Sequence, residues 1–395
     1  MQDKKQSLVP ELRFPGFEGE WEEKKLGEVV ESFKTGKLDA NAMIEGGKYR
    51  FYTCSKNYSF IDSYAFEGDC ILIAGNGAHL GYVHHFDGKF NAYQRTYVLS
   101  GFLCESDYLE YCIRRFLPVR IRREKKEGNT PYIVLSTLTD MSIFLPPSLP
   151  EQQKIAECLS SVDDLIQAEA DQLQALKDHK KGLMQQLFPQ EGETTPKLRF
   201  PGFEGEWEEK KLGEVGETVS GLTYSPSNVS NDGSGLLVLR SSNIKNGMLC
   251  FDDNVYVQSI KKYNPVKEND ILICVRNGSS SLIGKNALIP IGLSAAFGAF
   301  MMVFRTNQWS FVFQLLQTET YSKQIEQNLG ARINSINSED FKNYEFFFPS
   351  TPEEQQKIAS CLSSLDEGIA AQQEKVEALK EHKKGLMQKL FPNLQ

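Results

Sequence analysis

Side chains able to grip a phosphate backbone or read a base edge gather in a few places along this 395-residue chain. Residues 114–126, RRFLPVRIRREKK, set seven bases (Arg114, Arg115, Arg120, Arg122, Arg123, Lys125, Lys126) against Glu124 alone. Such a strip can displace counterions from several phosphates; the ordinary alternative for a charge run is a solvated helix face. Polar clusters of the types that bond to base edges accompany it. In the N-terminal half they are Asn76 and His79; His84 and His85; Asn91, Gln94 and Arg95; Asn129 and Thr130. In the C-terminal half they are Arg240, Ser241, Ser242 and Asn243 with Lys245; Arg276, Asn277, Ser279 and Ser280 with Lys285; and Arg332, Asn334 and Asn337. All except His85, Asn91, Thr130, Ser241, Ser280 and Asn337 join the arginines and lysines of the strip in the candidate DNA-contacting set. Loops are rich in these residue types for conformational reasons too, so each cluster alone is weak.

No catalytic constellation accompanies them. The nearest string to an N-P-P-[YF] methyltransferase loop, Tyr263-Asn264-Pro265-Val266, lacks the second proline and the aromatic end. Walker A and H-E-x-x-H motifs are absent, and so is a spaced carboxylate set followed by lysine. The loop AGNGAHLG (Gly75, Gly77, Gly81) follows a strand-like run, but no helix pattern and no G-K-[ST] come after it. It reads as a strand-connecting turn, with backbone approach to a DNA phosphate left open. The five histidines (His79, His84, His85, His179, His382) offer no metal-ligand spacing. His84 and His85 point to opposite faces on a strand; His179 and His382 read as structural. Eight cysteines without a C-x-x-C pair read as reduced thiols, and no metal site is expected.

The elements that must carry these residues come in duplicate. Residues 12–29, LRFPGFEGEWEEKKLGEV, recur letter for letter at 198–215. Residues 151–189 recur at 354–392 with 26 of 39 positions identical. Between them lie bodies with little obvious similarity, so the order is motif, body, helix, repeated. The repeats hold −7 of the net charge of −8, leaving the bodies near neutral and free to hold basic patches.

The longer repeat carries a heptad seam. Its positions are Ile155, Leu159, Val162, Ile166, Glu169, Leu173, Leu176, Lys180, Leu183 and Leu187, and in the second copy Ile358, Leu362, Leu365, Ile369, Gln372, Val376, Leu379, Lys383, Leu386 and Leu390. Each helix is expected to start after Pro150 or Pro352 and stop at Pro189 or Pro392, a rod of about 55 Å. Antiparallel pairing of the two buries both stripes and relates the halves by a pseudo-twofold axis. One register sets Glu169 beside Lys383 and Gln372 beside Lys180. Packing of each helix on its own body, or a parallel intermolecular coil, are the alternatives.

Both bodies read as mixed and strand-rich. YRFYTCS, DCILIA, YVHHF and TYVLS are the strand runs of the first; GLLVLRS, DILICV, NALIP and FMMVFR those of the second. FEGDCILIAGNGAHLGYV parallels VKENDILICVRNGSSSLIGK, and IRREKKEGNTPYIVLSTLTDMSIFLPP parallels KQIEQNLGARINSINSEDFKNYEFFFPS. The expectation is an α+β protein: two bodies of one fold joined by two long antiparallel coiled-coil helices. The divisions fall at 1–147, 148–189, a linker 190–197, 198–349 and 350–395. Composition, 40% hydrophobic and 24% charged, excludes disordered and disulfide-scaffold classes. No apolar run reaches a membrane span, and MQDKKQSLVPELRF lacks a signal core, which points to the cytoplasm.

This layout resembles the specificity subunit of type I restriction-modification enzymes over essentially the whole chain. The carriers are Glu151-Gln152-Gln153-Lys154-Ile155 and Glu354-Gln355-Gln356-Lys357-Ile358, each just after a proline. Others are the strand openers Gly68-Asp69 and Asn269-Asp270, and Trp21 and Trp207 with Leu26-Gly27 and Leu212-Gly213. Asn269 stands where the family often has Gly. The resemblance implies that each body is a target recognition domain for one half of a split, asymmetric duplex DNA site, with the helices fixing the half-site separation. It implies docking of two modification subunits, which carry S-adenosylmethionine, and of two restriction subunits, which use ATP and magnesium. The subunit itself then binds no cofactor and has no catalytic centre. A protein-binding coiled-coil scaffold and a stand-alone DNA-modifying enzyme with unrecognised motifs are the competing functions.

Overall fold

The structure, a computed structural model, describes residues 8–124, 132–260, 262–331 and 335–392. It divides into two compact units: residues 1–171 with 374–395, and residues 172–373. Lys125, Lys126, Asn129, Arg332 and Asn334 of the candidate set lie outside the described residues.

The first body contains β1 (Glu22–Lys25), β2 (Val30–Thr35), β3 (Tyr49–Tyr52), β4 (Ser59–Ile61), β5 (Phe66–Ala74), β6 (Val83–Ala92), β7 (Thr96–Phe102), α1 (Ser106–Glu124), α2 (Leu135–Thr139) and β8 (Ser142–Leu145); α3 (Leu149–Leu187) follows. Its main sheet has the order β2-β7-β5-β6-β3-β4, and β1 pairs with β8. Only β3 and β6 run parallel. The second body contains β9 (Glu208–Lys211), α4 (Leu212–Val215), β10 (Glu217–Ser220), β11 (Leu236–Leu239), β12 (Ile244–Lys245), β13 (Met248–Leu249), β14 (Val255–Val257), β15 (Ile271–Cys274), β16 (Asn286–Leu288), β17 (Ala296–Phe297), β18 (Met301–Arg305), α5 (Trp309–Leu315), α6 (Glu319–Ala331), α7 (Ser338–Lys342) and β19 (Glu345–Phe348), before α8 (Pro352–Lys389). Here the orders are β10-β18-β15-β16 and β14-β11-β17, with β19 on β9. The two bodies share one topology: β16 and β17 together replace the single β6, and β11 runs parallel to β17 as β3 does to β6. Pro290 and Gly292, between β16 and β17, explain the break, since proline cannot donate to a ladder.

The apolar runs read as central strands occupy the middle of each sheet. Along β5, Ile71 and Ile73 face one core and Cys70 and Leu72 another. Along β15, Ile271 and Ile273 face one core and Leu272 and Cys274 another. A strand buried on both faces reads as a continuous apolar run because neither face meets water.

Pro150 and Pro352 lie inside the first turns of α3 and α8 rather than before them, where a missing N–H costs no helical bond. None of the twenty seam residues is exposed. Within the first unit, Asp163 meets Lys383 and Glu169 meets Lys375, so α3 and α8 run antiparallel there. Within the second unit, Lys180 meets Asp366, while Met184 and Leu187 share a core with Ile358 and Leu362. The register differs from the one expected: Lys383 lies on Asp163 rather than Glu169, and Lys180 on Asp366 rather than Gln372. The bodies set it. Leu390 and Phe391, at the end of α8, are buried with Trp21, Tyr108, Ile155 and Leu159 in the first core. Leu187 and Phe188, at the end of α3, are buried with Trp207, Phe311, Ile358 and Leu362 in the second.

The repeated motifs bolt onto each other. Arg13 grips Glu151 with two bonds of 2.7 and 2.8 Å, and Arg199 grips Glu354 at 2.6 and 2.8 Å. Both carboxylates are only 1% exposed, a setting in which a bidentate guanidinium is the suitable partner. Gln152 donates to the Pro146 carbonyl and Gln355 to that of Pro349. All eight cysteines are free.

Candidate nucleic-acid interface

Asn76, His79, Gln94, Arg95, Arg276, Asn277 and Ser279 of the candidate set stand on loops that backbone bonds hold in the same way in both bodies. In the first, the Gly75 N–H donates to Arg95 O, Ile133 N–H to Gly75 O, Gly81 N–H to Ala74 O, and Tyr93 N–H to Tyr52 O. In the second, Val275 donates to Phe300 O, Ile336 to Val275 O, Gly284 to Cys274 O, and Gly298 to Leu239 O. Each bond has its counterpart, and all eight lengths fall between 2.8 and 3.0 Å. A common lattice thus ties together the β5–β6 loop, the β6–β7 turn and the segment before α2, and their equivalents. The glycine-rich loop is a strand-connecting turn. Gly81 has φ +80°, a backbone conformation that favours glycine, and a Cβ there would push aside Ile121 Cδ1, 2.7 Å away at the end of α1.

Side chains on the lattice differ. In the first body Asn76 and His79 sit half-exposed on the loop, and Gln94 and Arg95 are exposed at the turn. Arg122 and Arg123 follow Ile121 and are exposed, with no ion pair among the described residues. The other arginines of the strip are committed within the fold. Arg114 bonds Glu110 at 2.7 Å and the Val83 carbonyl, Arg120 pairs with Glu124, and the Arg115 guanidinium lies 5.6 Å from the Phe116 ring centroid. In the second body Arg276 is exposed and lies 5.7 Å from the Phe300 ring. Asn277 donates to Ser241 Oγ at 2.9 Å, joining the loop after β15 to the turn after β11. Ser279 and Lys285 are exposed. Arg240 pairs with Asp253 and Lys245 with Asp252. Asn243 is fully buried, donating to Cys250 O and accepting from the Arg240 N–H, which makes it part of the turn. Ser242 is half-buried beside it.

His84 and His85 point to opposite faces of β6, as alternation requires. His84 lies 2.9 Å from Ser55 O, between the Tyr52 and Tyr82 rings; burial, only partly offset by that carbonyl, lowers its pKa. His85 faces Asp69 with Nε2 (2.5 Å) and Asp107 and Glu110 with Nδ1 (3.1 and 3.2 Å). Burial alone would lower the His85 pKa, but the Glu110 and Asp69 carboxylates outweigh it and push it up to about 9. His85, Asp107 and Glu110 have ligand-type atoms within 4.8 Å of one another. With both ring nitrogens on carboxylates, the imidazolium proton already serves this group. Together with Asp69 the cluster draws on three elements, β5, β6 and α1, so nothing in local spacing announces it. Tyr132 and Phe300, exposed beside the lattice, also lack a periodic signal.

A family model described as type I restriction modification DNA specificity domain matches residues 18–178 and again 204–381. The chain belongs to this family. Each match takes in most of one motif, one body and most of one long helix, so the family unit corresponds to the duplicated unit. Among the curated relatives, the EcoDI specificity subunit of Escherichia coli is 36% identical over 182 residues, 46% of this chain and 40% of that protein. The MjaVIII specificity subunit of Methanocaldococcus jannaschii is 26% identical over 337 residues, 81% and 78% of the two chains. Against the EcoDI subunit the matched stretch is therefore less than half of the relative's length. The crystal structure of a type I S subunit from M. genitalium superposes with a TM-score of 0.67 at 17% identity, covering 98% of this chain and all of that one. A chain from a study of complex assembly and conformational transition in the type I system gives 0.53 at 18%, covering 97% and 99%. At such identities the likeness concerns the fold. Among the described residues no helix is long and apolar enough to cross a membrane.

Proposed function

We propose that this chain is the DNA-reading, non-catalytic subunit of a type I restriction-modification complex, each body reading one half of a split, asymmetric duplex site. One observation carries the reading: a shared backbone lattice presents unlike side chains in two bodies. Asn76, His79, Gln94 and Arg95 in the first, and Arg276 and Ser279 in the second, have the donors and acceptors for base edges, while Asn277 holds its loop through Ser241 and the Ser279 N–H. Arg122 and Arg123 supply phosphate contacts beside the first. Two different readers on one chain suit a bipartite, non-palindromic target. The paired helices then set the number of unread base pairs between the halves.

The repeats suit two equivalent dockings. Gln153 and Lys154 are exposed and identical to exposed Gln356 and Lys357, so two copies of one modification subunit would meet the same side chains twice. S-adenosylmethionine would be held by those partners, and ATP with magnesium by the restriction subunits. Sequencing the methylome of a host with and without the gene, partners present, tests the reading. One asymmetric two-part motif should vanish with the gene. Loss of no motif, or of a palindromic one, contradicts it.

A further inference from the structure

Each body meets the long helices through a joint built the same way. On α1, Tyr111 donates its hydroxyl to Asp163 Oδ2 at 2.9 Å. Asp163, on α3, also accepts from Lys383 Nζ of α8 at 2.6 Å, and that ammonium lies 5.0 Å from the Tyr111 ring centroid. On α5, Gln314 donates its amide to Asp366 Oδ2 at 2.8 Å. Asp366, on α8, accepts from Lys180 Nζ of α3 at 2.6 Å. The exposures match as well: 17% and 42% for Lys383 and Asp163, 12% and 39% for Lys180 and Asp366.

The aspartates and lysines belong to the repeated helices and are equivalent under the duplication. Tyr111 and Gln314 belong to the divergent bodies, yet stand at the same offset of 203 residues. One turn earlier, Tyr108 and Phe311 correspond likewise, each against the phenylalanine that ends a long helix. At this position the side chain changed from phenol to amide while the hydrogen donor and its carboxylate acceptor stayed. Both side chains are buried, so each polar group needs some partner; what burial alone does not require is that both choose the carboxylate that holds the opposite helix's lysine. Burial, reinforced by the Asp163 contact, pushes the Tyr111 hydroxyl far above its ordinary range, so it remains a donor.

The geometry points to Tyr111 and Gln314 as positioning residues: each sets its recognition body on the helix pair by donating to the carboxylate that already holds the opposite helix's lysine. This rests on the reading that the bodies hold two half-sites of one duplex. A body that tilts at its joint moves its half-site contacts, so discrimination between spacer lengths is the property the joint controls. A charge-assisted bond of this kind, shared by two elements, fixes direction as well as distance.

The test uses the complete complex with modification subunits and duplexes carrying the native spacer or one base pair more or less. Tyr111→Phe keeps the ring over Lys383 and removes only the donor; it should lower discrimination against the wrong spacers by about tenfold. Tyr111→Gln, which installs the second body's donor, should restore it. Gln314→Leu makes the same test in the other body and decides the matter if Tyr111→Phe does not fold, as thermal melts will show. Wild-type discrimination in Tyr111→Phe with a lowered melting point means a merely structural bond and overturns the inference, as does failure of Tyr111→Gln to rescue. A wild-type complex without sequence-dependent retention overturns the reading of function, and this inference with it; retention with spacer-blind variants and wild type alike overturns the inference alone.

Discussion

The first body fastens its helix with charge where the second uses apolar contact. Opposite Ile71 on the sheet stands His85; opposite the corresponding Ile271 stands Leu288. Glu110 of α1 has Phe313 as its counterpart on α5. The second body places its buried ion pair elsewhere, at the sheet: Arg305 grips Asp270 with two bonds of 2.8 Å. The interface differs in the same sense. Arg95, Arg122 and Arg123 of the first body are exposed cations; the second exposes Arg276 and Lys285 but neutralises Arg240 and Lys245 with Asp253 and Asp252. One backbone therefore tolerates two electrostatic designs, provided the loop lattice and the phenylalanine at the foot of each body are kept.

The largest expected effect tests what the bodies share. Phe391→Ala and Phe188→Ala each remove a buried ring next to a tryptophan and should each cost about 3–5 kcal/mol. Hydrogen exchange should place the first loss in residues 8–124 and the second in residues 208–348. Equal loss everywhere from either variant breaks the equivalence. Next comes pH, which should separate the bodies. The folded His85 pKa is raised to about 9 from an ordinary 6.5, so its contribution is full below about 6.5 and fades as pH rises through 9. Exchange protection of α1 should fall between pH 7 and 9.5 while α5 stays unchanged, and His85→Leu should abolish that difference. A smaller effect concerns DNA. Replacing Arg122 and Arg123 by Ala should reduce the slope of log affinity against log salt by about two, whereas Lys245→Ala should change it little. Equal slopes for the two variants remove the contrast between the unpaired cations of the first body and the paired Lys245 of the second.

Much of the fold was legible because the signals were local. DCILIA and DILICV announce strands buried on both faces, and the seam positions announce helices needing a partner. Register was not legible: the seam's polar residues permit several alignments, and the choice is made by Phe391 against Trp21 and by Phe188 against Trp207, far apart in sequence. The candidate interface was half legible. Asn76 with His79 and Arg276 with Asn277 stand on the lattice because turns between strands need such residues and expose them. The strip from Arg114 to Arg123 looked uniform, yet α1 turns Arg114 toward Glu110 and leaves Arg122 and Arg123 in water. That division needs the helix phase and the acid one turn earlier. Asn243 has the chemistry of a base reader, but its amide closes a turn.

The claim that two unlike readers share one scaffold is tested most directly by altering one of them. In the complete complex, Arg276→Ala with Ser279→Ala should relax one half of the methylated motif and leave the other half and the spacer intact. Changes in both halves, or in neither, would contradict it.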